Sequence, residues 1–171
     1  MYRSEANDDR VRALQNLSYE NLRKSFRARV GPVYCLRTPW LEPCTLAEHH
    51  TFNGTLQSLT LAYGSWDTNQ PHVKVTTWRD LLGQSYAPDV PSGLDSARPE
   101  DLNVDIENHE NSGVLLRQPS GAWLLRVDLG SFHLVSSGRG PVGDLSFDPL
   151  ADLEQVIEAR RAYLASRFPR V

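Results

Sequence analysis

Asp105, Glu107 and His109 alternate along a stretch that reads as a strand. At a period of two they would project from one face. Two carboxylates and an imidazole on one face can hold a divalent cation and activate water, which is the chemistry of metal-assisted hydrolysis. No Lys or further carboxylate of a nuclease motif lies beside them. The solvent side of a half-buried strand explains the same pattern, so the trio is kept only as the weak metal candidate.

The remaining chemical signals are thinner. Glu48-His49-His50 follows Cys44, but adjacent histidines point apart and the usual zinc spacings are absent. Cys35 and Cys44 sit in apolar, proline-flanked surroundings that suit burial, and nothing marks a lowered thiol pKa. Gly138-Arg-Gly140-Pro-Val-Gly143 has dinucleotide-binding spacing. Such glycines work at the N-terminus of a helix that they open, within a βαβ unit. Here the next helical pattern starts only near Pro149, so the glycines read as a connection. Ser65 lies in no strand-to-helix elbow. The reading therefore assigns no catalytic residue, no cofactor and no metal.

The residues that suit binding lie on a hairpin. Segments 58–66 and 72–79 are rich in β-formers and flank a short polar loop. If Trp66 opposes His72, then Leu59, Leu61, Tyr63, Val73 and Val75 share a core face. Trp66, His72, Lys74, Thr76 and Trp78 share the other. Exposed tryptophans are enriched where proteins bind each other, which makes Trp66, His72, Lys74 and Trp78 the partner-binding candidates. The alternative is that a terminal helix covers this face and the rings are core.

These groups need elements to position them. Val11, Leu14, Leu17, Leu22 and Phe26 recur near helical spacing, predicting a helix from about Asp8 to Arg29 with a break at Ser18. Thr45 to His50 reads as one helical turn, and Asn53-Gly54 as a turn. Residues 80–102 read as a long loop. Asn103 to Asn108 and a meander over 114–118, 122–128 and 132–136 read as strands, with Trp123, Leu125 and Val127 on one face. Asp148 and Pro149 look like the cap and first position of a last helix. The expected fold is α+β: a mostly antiparallel sheet, hairpin plus meander, packed against N-terminal and C-terminal helices. One domain should span residues 1–171, with a flexible N-terminus over 1–7.

Composition bounds the function. A net charge of −3 argues against general nucleic-acid affinity, and the basic stretch Arg23, Lys24, Arg27 and Arg29 reads as a solvated helix end. No signal-peptide pattern follows the charged first ten residues, and no apolar run approaches the ~20 residues of a membrane span. The expected place is the cytoplasm, with both cysteines as free thiols. Sixteen arginines against two lysines suggest a GC-rich bacterial gene. The leading expectation is a non-catalytic module that binds another protein, as an adaptor, chaperone or immunity-type factor, with a homodimer as one way to cover a sheet face. The alternatives are a metal-assisted hydrolase using Asp105, Glu107 and His109, and a small-molecule binder with Trp78 or Trp123 as a pocket wall.

Overall fold

The computed structural model describes residues 5–37, 44–64, 69–79, 93–94, 96–142 and 144–167. Trp66, most of the predicted 80–102 loop and residues 1–4 lie outside them. Among the described residues two helices, α1 (Glu5–Arg27) and α2 (Leu153–Arg167), bracket nine strands. The strands are β1 (Tyr34–Leu36), β2 (Cys44–Phe52), β3 (Thr55–Gly64), β4 (His72–Arg79), β5 (Glu100–Ile106), β6 (His109–Arg117), β7 (Ala122–Asp128), β8 (Phe132–Arg139) and β9 (Ser146–Pro149). They form one sheet in the order β1-β9-β5-β6-β7-β8-β4-β3-β2. All pairs are antiparallel except β5 with β9, so the sheet is mixed.

The hairpin of β3 and β4 pairs Gly64 with His72 and Tyr63 with Val73. This register is two residues away from a Trp66–His72 pairing. A shift of two keeps every side chain on its face, whereas a shift of one would invert them all. Leu59, Leu61, Tyr63, Val73 and Val75 are accordingly buried in one cluster with Trp123, Leu125 and Val127. Buried apolar side chains of both helices belong to the same cluster: Tyr19, Leu22 and Phe26 from α1, and Leu153, Val156 and Ile157 from α2. Truncating one fully buried leucine such as Leu22 in this setting costs about 2–5 kcal/mol.

The sheet curls until edge strand β1 lies over the inner face of β3 and β4. The Tyr34 and Leu36 amides point away from their ladder partner β9. Tyr34 N–H donates to Thr77 Oγ1 at 2.8 Å, and Leu36 N–H donates to the Tyr63 hydroxyl at 3.0 Å. Side chains, not a backbone ladder, thus satisfy the edge donors where the curl meets itself.

Several elements differ from the sequence reading. The first helix is continuous: Ser18 lies inside it, and its Oγ is 3.4 Å from His49 Nε2. Leu14 and Leu17 are exposed, and from residue 13 onward the buried stripe begins at Tyr19. Thr45 to His50 belongs to β2, not to a helical turn. Asn53 and Gly54 both take positive φ and join β2 to β3 as a two-residue turn. Strand β5 begins at Glu100, within the predicted loop. The last helix starts at Leu153, and Asp152, not Asp148, caps it: Asp152 Oδ1 accepts from the amides of Glu154 and Gln155 at 2.9 and 3.3 Å. Asp148 and Pro149 instead end β9. Proline is tolerated there because Tyr34 and Pro149 face each other as a non-hydrogen-bonded pair, so no ladder bond to β1 calls on the missing N–H.

Candidate functional site

The Asp105, Glu107 and His109 trio does not share a strand face. Glu107 and Asn108 take positive φ, 53° and 63°, and turn the chain between β5 and β6, so Ile106 pairs with His109. Each member is engaged elsewhere. Asp105 is bound by Arg37, whose guanidinium donates from Nη1 at 2.6 Å and from Nη2 at 3.3 Å. Arg37 also grips Asp148 at 2.9 Å through both Nε and Nη2. The hydrogen bond from Arg37 holds the Asp105 carboxyl below its ordinary pKa, and Asp148, then Asp105, hold the guanidinium above its own. Glu107 accepts from the Tyr34 hydroxyl at 3.0 Å. Burial first, and this bond second, push the tyrosine pKa up. His109 Nδ1 meets the Glu107 carbonyl at 2.8 Å. Among the described residues no three His, Cys, Asp or Glu side chains are grouped to hold a metal ion.

The other candidates separate as well. In β2, His49 turns inward beside Ser18 while Glu48 and His50 stay exposed. Burial, then the neighbouring His50, lower the His49 pKa. Cys35 is not in a disulfide, and its Sγ lies 3.3 Å from the Asp148 carbonyl. Gly138 sits in β8 against β4 and β7, where a Cβ would strike the His72 backbone and the Trp123 ring. It permits close packing at that point. Trp123 is 1% exposed and forms part of the core.

The outer face of the hairpin is partly covered. Trp78 is 2% exposed, stacked on His133 at 4.2 Å between ring centroids, and packed with Leu94, Leu124 and Val135. The covering group is Leu94, from the segment before β5, and not a terminal helix. Farther along the face, Thr76, Val135, Arg126 and Val114 form one cross-strand row, and Lys74, Ser137, Leu124 and Leu116 the next. Lys74, Arg126 and Val114 are exposed on these rows. Arg126 lies 5.8 Å from the Trp78 ring centroid. His72, half-buried at the end of β4, places Nδ1 2.9 Å from the Gln70 carbonyl.

Comparisons with family models, with curated proteins and with solved structures find no match. The geometry of the chain therefore carries the functional argument alone.

One further feature escaped the sequence reading. The linker after α1 crosses the ends of β3, β4 and β8, leaving a cleft open to solvent with about 20 Å³ of room for the centres of water-sized groups. Arg29, Gly31, Pro32 and Val33 line it from the linker, and Leu56, Gln57, Thr77, Arg79 and Phe132 from the sheet. No carboxylate is among these residues. The Arg29 guanidinium lies 3.8 Å from the Phe26 ring centroid and donates from Nη1 to the Phe26 carbonyl at 2.6 Å. Its Nε is buried without a hydrogen-bond partner, and a buried donor left so costs about 1–3 kcal/mol. Burial lowers the Arg79 pKa. Gly31, at φ +102°, lets the linker pass close: a Cβ there would lie 3.2 Å from Arg79 Nη2. Arg29 stood out in sequence only as one of a basic run, and Arg79 only as a strand end.

Proposed function

We propose that this chain is a non-catalytic protein-binding module of the bacterial cytoplasm, of adaptor, chaperone or immunity type. The observation that supports it is the outer face of β4, β8, β7 and β6. There Lys74 and Arg126 stand exposed beside Val114 on adjacent rows, with no ion-pair partner among the described residues. Two unpaired cations around an exposed aliphatic group match an acidic partner with an apolar centre. Charge complementarity of this kind steers encounter and fixes register. Lys74 and His72 remain in the contact surface, whereas buried Trp78 supports it from beneath through Arg126. The acid–base groups that might have argued for hydrolysis are tied into ion pairs and a turn, which favours binding over catalysis.

The test is site-specific photo-crosslinking in the native host. A photo-reactive residue at position 74 or 114 is expected to yield one discrete protein adduct. Adding Arg126→Glu should remove that adduct without lowering the melting temperature. Crosslinking that is diffuse, or indifferent to Arg126→Glu, would refute the assignment.

A further inference from the structure

We propose that the cleft between the α1 linker and the ends of β3, β4 and β8 binds a phosphate group held by Arg29 and Arg79. This site is separate from the outer face and stands whether or not that face binds a protein.

Charge chooses the ligand class. Among the described residues two arginines line the cleft and no carboxylate does. A guanidinium presents a planar fork of donors suited to carboxylate or phosphate. One carboxylate is saturated by one fork and would leave the second arginine unmatched. A phosphate carries a charge of about −1.5 to −2 near neutral pH, which matches both. The neutral lining adds donors of the right kind. Thr77 Oγ1 already accepts the Tyr34 amide, so its own hydroxyl hydrogen is free to donate. Gln57 brings an amide group to the wall.

The construction of the cleft also favours a ligand over a chance meeting of side chains. Arg37 and Arg23, elsewhere in the molecule, each hold two carboxylates. Arg79 is partly buried at a cost to its charged form and is given none by the described residues. Arg29 is fixed by ring and carbonyl through Nη1, which leaves Nη2 of its guanidinium for a ligand. Glycine at position 31 keeps the linker off the Arg79 guanidinium.

Isothermal titration calorimetry on the full chain tests this, with inorganic phosphate, glycerol phosphate and acetate at matched ionic strength in chloride. Saturable phosphate binding is expected, weakened about tenfold or more by Arg79→Gln or Arg29→Gln and unchanged by Arg98→Gln at an exposed site. Tighter binding of glycerol phosphate would identify a phosphomonoester as the ligand, and equal or weaker binding would identify the free anion. Should Arg79→Gln not fold, Arg79→Lys keeps the charge, removes the fork, and should still weaken binding. No heat beyond the chloride background, an acetate response equal to that of phosphate, or full affinity in both arginine variants would overturn the proposal.

Discussion

Arg37 and Arg79 occupy the same curled sheet and are treated in opposite ways. Arg37, half-buried after β1, is clasped by Asp105 and Asp148. Arg79, half-buried at the end of β4, faces Gly31 and Phe132 and is given no acid by the described residues. The difference teaches that residue type does not mark a site on this protein. The conspicuous carboxylates serve the structure: they join β1, β9 and the β5–β6 turn, where the sheet must bend to bring its edge over the core. The inconspicuous arginine is left with binding capacity. An ion pair that is complete within the fold has little to offer a ligand, whereas a partly desolvated, unmatched cation does.

The largest expected effect concerns the seam that brings these regions together. Tyr63→Phe removes the acceptor of the Leu36 amide while leaving the ring in place. It should lower unfolding free energy by about 1–3 kcal/mol, the cost of an unsatisfied buried donor, as read by urea denaturation. An unchanged midpoint would show that the curl is not closed by this bond.

Next is the acid limb of stability. Arg37 lowers the Asp105 pKa and Arg23 lowers that of Glu154. The contribution of each carboxylate is complete above its unfolded pKa, about 4, and is lost as pH falls through the lower folded value. Arg37→Gln should therefore reduce the melting temperature at pH 7, and this deficit against wild type should shrink as pH falls below about 4. A deficit constant with pH would mean that the arginine acts by packing alone.

A smaller effect is expected from His49. Its folded pKa lies below the unfolded value of about 6.5, so the unfolded chain binds the proton more readily. Stability should decline as pH falls from about 6.5 toward the folded pKa. His49→Gln should flatten that part of the curve in a thermal-melt series, and an unaltered slope would contradict it.

The smallest effect sharpens the comparison most. Arg79→Gln removes no hydrogen bond or ion pair that the described residues provide. It should change stability by no more than about 0.5 kcal/mol, the range of substitutions that break nothing, or raise it by relieving the buried charge. A loss as large as that of Arg37→Gln would reveal a structural partner and erase the contrast.

Much of the fold could be read in advance where period-two patterns met clear turn chemistry. The hairpin face of Leu59, Leu61 and Tyr63 and the meander of β6 to β8 are such cases, and a two-residue error in register left their faces intact. Strand β2 was hidden because register irregularities beside Glu48 and Thr51 disrupt its alternation. The Asn53-Gly54 turn that closes its hairpin was the signal available. The β5–β6 turn was hidden because Glu107 and Asn108 take left-handed conformations that usually advertise themselves with glycine. Asp148-Pro149 satisfied the local grammar of a helix start, and a tertiary bond from Arg37 overrode it. The cleft was illegible for a different reason. Arg29 and Arg79 approach one place only because the linker crosses the strand ends, and no local pattern records that crossing.

The contrast between matched and unmatched arginines can be observed directly in the side-chain Nε–H resonances of nitrogen-15-labelled protein titrated with inorganic phosphate. The Arg29 and Arg79 signals are expected to move together and saturate, while those of Arg37 and Arg23, held by carboxylates, stay in place. Stationary Arg29 and Arg79 signals, or Arg37 moving with the same concentration dependence, would contradict it.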